Sequence, residues 1–479
     1  MDTPDILSAK ETSERRLRLA DLPSPRGLPV FGHLLRVEPA RFHQQMEQWA
    51  QELGPRYTLR LGGGPILVIG NHEAVATALR DRPEGFRRTP KLEHIWQELG
   101  LPTGVFGANG ESWARQRRMV MAGFDPAHVR HYFPAMRKVA LRLAARWEKA
   151  ADTPIVLQAD LMRYTVDTIA GLAFGADVNT LESDEDVIQR HLDKLFPALY
   201  RRLLAPLPTW RWFKSARDRE LEASLTEILT AVDGFIARAR ERMAADPALR
   251  EQPSNLLEAM IAAADVPGSG IDDGLVAGNV LTMLLAGEDT TANTLAWMIH
   301  LLWRHPEALA RATAEVRGAV GPDLDGITQD QLGTLDYVEA CAHETMRLKP
   351  VAPMVGLQAI HDTVVDGVEA PAGTVILALL RRDSVSEQNF PQADRFDPER
   401  WLGRDASAAK RIAMPFGAGP RICPGRYLAL LEIKLAMATL LSRFDILAVD
   451  TPSGEPEAEE VLSFTMAPRG LTMRLRPRA

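Results

Sequence analysis

The strongest pattern in the chain is a long run of apolar positions over residues 272–304, with Val276, Val280, Leu281, Leu284, Leu295 and Ile299 among them. A helix this apolar on all sides belongs inside a helical core rather than on its surface. Thr282, Glu288, Asp289 and Asn293 interrupt the run, which argues against a bilayer span. Residues 126–264 read as a series of further helices, with Trp147, Leu157, Ile169, Leu172 and Phe174 as core positions. Residues 57–61 and 66–69 are short apolar runs around Gly62-Gly63-Gly64-Pro65, the pattern of a β-hairpin. No Gly-Lys-Ser/Thr follows those glycines, so they do not read as a phosphate loop. Asn71 is placed to cap a helix over residues 73–80. Residues 363–380, with Asp366-Gly367 and Pro371-Ala-Gly373, read as strand, turn and strand. Residues 22–29 are a proline-rich extended opening, and residues 86–110 an irregular stretch punctuated by Gly and Pro.

Composition narrows the picture. A chain of 479 residues, 46% hydrophobic and 25% charged, buries a large core; its length alone would allow two to four domains. The net charge of −7 argues against a nucleic-acid partner. Two cysteines, Cys341 and Cys423, leave no disulfide framework and no four-cysteine metal site, and they suit a reducing compartment. Residues 1–22 are polar and charged, without a signal-peptide core or the ~20 apolar residues of a membrane span. His128 and His131 are three apart with no further ligand nearby, and read as a solvated helix face.

Candidate chemistry gathers at residues 416–425, Phe-Gly-Ala-Gly-Pro-Arg-Ile-Cys-Pro-Gly, just before a helical run at 426–442. A thiolate at a helix start is favoured by the dipole and by unpaired N–H groups, so a lowered pKa is expected for Cys423. The glycines permit close approach to a flat ligand, and Arg421 could meet an anionic group. Taken alone, the cysteine also fits a buried thiol in a Gly/Pro-rich loop. Inside the apolar run, residues 286–291 read Ala-Gly-Glu-Asp-Thr-Thr. A Thr hydroxyl there can bond the carbonyl one turn back. Asp289 and Thr290 then suit proton relay, or else a mere kink with an exposed carboxylate. Trp113 and Arg117, four apart, share a helix face that could bind a carboxylate or simply be solvated. Glu344 and Arg347, three apart, would by themselves pass for a weak surface pair.

The spacing Phe416-x-x-Gly419-x-Arg421-x-Cys423-x-Gly425 resembles the haem-binding loop of the cytochrome P-450 family. The resemblance extends to the acid–alcohol segment 286–291, to Glu344-x-x-Arg347 lying 76 residues before the cysteine (423 − 347), and to Pro398-Glu399-Arg400. It implies a mainly α fold with a small β region, residues 22–479 forming one domain after a flexible polar tail, residues 1–21. It implies one haem b with Cys423 as metal ligand. Trp113, Arg117, Ala286, Gly287, Phe416, Arg421 and Gly425 are its expected cofactor contacts. Glu288, Asp289 and Thr290 are the expected catalytic group, and Glu344, Arg347 and Arg400 a buried structural triad. Many family members carry another propionate arginine before the 363–380 segment. Here residues 356–359 read Gly-Leu-Gln-Ala, and Arg381 is the candidate substitute.

By the same resemblance, residues 196–213 form a lid above the substrate pocket, residues 86–110 the variable segment beside it, and residues 464–471 a terminal hairpin whose tip touches substrate. The expected reaction is monooxygenation of a hydrophobic substrate with O2. Electrons would come from NAD(P)H through a separate ferredoxin or flavodoxin and its reductase, docked on a basic face bearing Arg421, Arg426 and Lys434. A cytoplasmic protein without a membrane anchor is expected. A peroxide-driven haem-thiolate enzyme and a non-catalytic haem sensor are the competing readings. Cys341 reads as an inert buried thiol.

Overall fold

The structure, a computed structural model, describes residues 16–478 except residues 30, 125, 184–186, 206 and 322–323. The apolar run forms one helix, Asp273–Arg304, hereafter the central helix. Asp272 caps it by accepting the Leu275 N–H at 2.8 Å. Val276, Val280, Leu281, Leu295 and Trp297 are wholly buried in it. It packs against Leu157–Phe174 on one side and Asp336–Leu348 on another. Arg426–Arg443 follows the cysteine loop and closes the core, where Tyr164 Oη donates to the Glu432 carbonyl at 3.1 Å. Among the described residues no helix is long and apolar enough to cross a membrane.

The β structure is small. One sheet runs in the order Arg56–Leu59, Ile66–Ile69, Val375–Leu379, Met354–Ala359, Phe86–Arg88. The first two strands are the antiparallel hairpin expected around the glycines, and the second pairs in parallel with Val375–Leu379. Thr363–Val365 and Val368–Ala370 form a hairpin of their own. Asp366 and Gly367 turn it at φ 51° and 75°, the two positive values that match the strand twist. Asn71 caps His72–Arg80 through the N–H groups of Glu73 and Ala74.

Two stretches differ from the sequence reading. The flexible tail expected through residue 21 is tied down from Leu17, because Leu17–Arg18 adds in parallel to Val368–Ala370; residues 1–15 lie outside the described residues. The irregular stretch 86–110 contains the strand Phe86–Arg88 and the helix Pro90–Glu98. Its proline sits at the first helical position, where the missing N–H costs nothing, and Leu92, Ile95, Trp96 and Leu99 supply one buried face. His131 is exposed, as a solvated face requires, and the His128 side chain lies outside the described residues.

Candidate active site

The cysteine loop is shaped by backbone geometry. The Cys423 N–H donates to the Phe416 carbonyl at 3.0 Å, closing the loop on itself. Gly419 has φ 72°, and a side chain there would put its Cβ 2.6 Å from the Leu79 carbonyl oxygen, so only glycine fits. Gly425 is the N-cap of Arg426–Arg443, and its N–H reaches the sulfur. Burial pushes the Cys423 thiol up, while that N–H and the charges of Arg117 and Arg426 pull it back in part. The lowered pKa expected from the helix start therefore does not hold in the protein alone. Desolvation outweighs one N–H and two partly screened cations, and a bound cation would be needed to reverse it.

Around this loop four arginines converge from separate segments. Arg117 donates to the Ile422 carbonyl at 2.7 Å, and Arg82 to the carbonyls of Leu79 at 3.0 Å and Ala418 at 3.2 Å. Arg421 donates to the Ala108 carbonyl and lies over the Trp113 ring, 4.7 Å from its centroid. Arg88, at the end of its strand, sits over Phe106 at 4.3 Å. Burial lowers the pKa of each: Arg82 and Arg421 to about 9, Arg88 to about 10, and Arg117 in the same direction. Arg82 and Arg421 are lowered further by neighbouring arginines. The oxygens to which Arg82, Arg117 and Arg421 donate are all neutral, and the Nε atoms of Arg88 and Arg421 are buried without a partner. Such a cluster is costly unless an anion meets it.

Arg381 does not join this rim. It is buried between Glu47, which accepts at 2.9 and 2.6 Å, and Glu460, which accepts at 2.8 and 3.0 Å. Its charge is already neutralised, so the role expected for it from sequence does not hold. Lys434 is corrected too: it is buried and paired with Glu339 at 2.6 Å. Arg421 turns inward onto Trp113. Of the three cations expected on a docking face, Arg426 lines an open groove of about 730 Å³ beside the cysteine loop with exposed Arg130 and Lys410, while Lys434 lines the same groove already paired with Glu339.

The central helix opens at one place. Between Val276 and Leu302 only Ala286 is exposed and only Gly287, Asp289 and Thr290 are half-buried. Thr290 Oγ1 donates to the Ala286 carbonyl at 2.7 Å, one turn back. Asp289 accepts from Asn293 Nδ2 at 2.6 Å and from Thr465 Oγ1, and burial raises its pKa with no cation nearby to offset it. Two expected residues face elsewhere. At 3.6 residues per turn Glu288 lies on the far side from Ala286, and it is buried there. Gly287 turns its missing side chain to Ile169, whose atoms would stand 3.1 Å from an added Cβ; it serves close helix packing rather than a cofactor contact.

The Glu344 carboxylate is fully buried. It accepts from Arg347 Nε and Nη2 at 2.8 Å, the Asp397 N–H at 2.8 Å, Arg400 Nε at 3.3 Å and Trp401 Nε1 at 2.9 Å. Arg347 also donates to the carbonyls of Ser384, Ala393 and Arg395 at 2.6, 2.7 and 3.0 Å. Cys341 is wholly buried nearby, with its thiol pushed well up. Sequence reasoning missed Arg82 and Arg88, which no local pattern singles out. It also missed Asn293, although a polar residue four after Asp289 in an apolar helix was a usable signal.

Comparisons with known proteins agree with this arrangement. A family model described as Cytochrome P450 matches residues 22–474. A cyclooctat-9-en-7-ol 5-monooxygenase of Streptomyces melanosporofaciens is 31% identical over 429 residues, 88% of each chain. A self-sufficient cytochrome P450 monooxygenase of Aspergillus niger is 28% identical over 465 residues, 95% of this chain. The chain spans only 43% of that relative's length. Among solved structures, the haem domain of a cytochrome P450DA mutant matches with TM-score 0.83 at 26% identity, covering 96% of this chain and 98% of that one.

Proposed function

The chain belongs to the cytochrome P450 family, and on that premise we propose that it is a haem-thiolate monooxygenase inserting one oxygen atom from O2 into a hydrophobic organic substrate. The observation that carries this reading is the set of desolvated arginines that meet no carboxylate among the described residues, beside a desolvated cysteine. That donor set fits haem b: a thiolate for the iron, and guanidinium groups for two propionates. Cys423 would hold the iron through its thiolate. Arg117 and Arg421 would hold the carboxylates, as the resemblance implies, with Trp113 stacked on Arg421. Arg88 and Arg82 would join them. When bound, the haem supplies reductive activation of O2 and transfer of one oxygen atom, by hydroxylation or epoxidation, with the other leaving as water.

The remaining chemistry belongs to side chains of this chain. Thr290, bonded back to Ala286, keeps a hydroxyl at the one exposed break in the central helix. Asp289 is the acid beside it, its burial favouring a held proton at one carboxylate oxygen. Phe416 and Gly425 frame the thiolate by accepting the Cys423 N–H and donating to the sulfur. Electrons from NAD(P)H enter through a separate ferredoxin or flavodoxin with its reductase, seated on the groove bearing Arg130, Lys410 and Arg426. The test is the carbon-monoxide difference spectrum of the dithionite-reduced protein beside Cys423→His. A red-shifted thiolate Soret band that is lost in the variant is expected. An imidazole-type band, or no haem in folded wild type, overturns the proposal.

A further inference from the structure

The terminal hairpin, Glu460–Ser463 with Thr465–Pro468, pairs Ser463 directly with Thr465 and so leaves Phe464 alone at its tip. Phe464 has φ 91°, a region that a bulky side chain occupies only when its surroundings force it. The surroundings are two aromatic rings from other segments. Phe196 of the helix Val187–Leu204 stacks on Phe464 at 4.7 Å between centroids and 10° between planes, and Phe106 leans on it at 6.0 Å. The base of the hairpin is held firmly. Glu460 accepts from His43 at 2.8 Å, Lys349 at 2.7 Å and both terminal nitrogens of Arg381, and the Met466 N–H donates to the Val351 carbonyl at 2.8 Å. A rigid base thus carries a strained tip.

The residue after the strained one, Thr465, is buried and donates its hydroxyl to Asp289 Oδ2, while Asn293 occupies Oδ1. Both oxygens of the relay carboxyl are therefore engaged while the three rings are together. We infer that the hairpin tip is an occupancy-sensing latch, in which an apolar substrate that parts Phe464 from Phe196 and Phe106 draws the Thr465 hydroxyl off Asp289 and frees its carboxyl for proton delivery. Thr465 is then a positioning residue, acting through Asp289, and the Phe106–Phe464–Phe196 trio sets the minimum bulk of an effective substrate. This rests on the relay role given to Asp289 above. The latch geometry itself is independent of haem.

The experiment is infrared spectroscopy of the intact protein, reading the Asp289 carboxyl band, assigned as the one lost in Asp289→Asn. Thr465→Val removes the hydroxyl at nearly constant shape and is expected to shift that band; Thr465→Ser is expected to restore it. Phe464→Ala keeps Thr465 and the strain of a non-glycine residue at φ 91° but removes the ring contacts that hold the tip, and is expected to reproduce the valine shift. A band unchanged in Thr465→Val, or one shifted there but unmoved in Phe464→Ala, overturns the latch. If Thr465→Val fails to fold, the Phe464→Ala and Thr465→Ser bands decide by themselves. Carbon-monoxide spectra of the same preparations separate the two readings. Loss of the thiolate band in wild type defeats the oxygenase proposal, whereas intact thiolate bands with an unmoved Asp289 band defeat only the latch. In the haem-loaded protein, substrate-free oxygen consumption is expected to rise several-fold in Thr465→Val and Phe464→Ala but not in Thr465→Ser; equal rates in all of them would also count against the latch.

Discussion

Replacing Arg88 with methionine should have opposite effects on the haem-free and haem-loaded protein. In the haem-free chain the guanidinium is desolvated, its Nε has no partner, and its pKa falls from 12.5 to about 10. At about 1.4 kcal/mol per pKa unit, keeping that charge buried costs the fold on the order of 3 kcal/mol. Methionine removes the cost, keeps an apolar stem over Phe106, and forfeits a cation–π contact worth about 1–2 kcal/mol. The haem-free variant should therefore be as stable as wild type or more stable by about 1–2 kcal/mol. In the loaded protein the same change deletes a charge-assisted hydrogen bond to a propionate, about 1.5–3 kcal/mol, or roughly 10- to 100-fold in haem retention. Urea unfolding of the haem-free proteins and the rate of haem transfer to an excess of a tighter haem acceptor measure the two halves. Equal destabilisation of both forms would make Arg88 an ordinary structural arginine and refute the reasoning. Arg381→Met is the contrast. It strands the Glu47 carboxylate and takes one of two cations from Glu460 in both forms, and should cost about 3–5 kcal/mol with or without haem.

Arg347→Met should cost about 3–5 kcal/mol, because it takes the bidentate, fully buried partner from Glu344, leaving it Arg400 at 3.3 Å, and removes the donor to the carbonyls of Ser384, Ala393 and Arg395. Soluble yield and haem content, rather than the turnover of whatever loads, should fall; normal yield and haem content would refute this. Gly419→Ala should loosen the cysteine loop by more than ~1 kcal/mol through its φ of 72° and its contact with Leu79, seen as faster haem loss at unchanged far-UV circular dichroism. Two buried groups set opposite pH slopes. Glu432, bonded to Thr291, is raised to about 8 from 4.5, so the folded state holds its proton more tightly and stability falls as pH rises between those values. His300 is lowered to about 4 from 6.5, so stability falls as pH drops through that window. The two slopes cancel below about 6.5 and leave a loss of roughly 2 kcal/mol from there to pH 8. In chemical denaturation Glu432→Gln should remove that alkaline loss; a variant with the same alkaline slope would show that Glu432 does not titrate there.

What could be read from the chain and what could not divides along a physical line. The cysteine loop, the acid–alcohol segment and the Glu344–Arg347 pair are short spans in which backbone geometry alone brings the groups together. A helix puts residues three or four apart on one face, and a glycine at positive φ makes a turn nothing else makes. The same rule, applied strictly, would have turned Glu288 away from Ala286 and paired Asn293 with Asp289. The central helix was legible because apolar positions on every side of a 32-residue helix admit only an interior location. The cationic rim was not, since Arg82, Arg88, Arg117 and Arg421 come from four segments with no shared period. Arg88 and Arg381 make the point most sharply, for each follows or ends a strand of the same sheet and nothing in its neighbours along the chain sets it apart. What separates them is the counter-charge in space. Glu47 and Glu460 fold against Arg381 and extinguish its charge, whereas Arg88 lies over Phe106 near other arginines and is paired with no carboxylate among the described residues. An arginine becomes a candidate ligand-binding group when folding leaves its charge unanswered, and that is a property of the tertiary neighbourhood, to be sought among buried cations that lack a carboxylate.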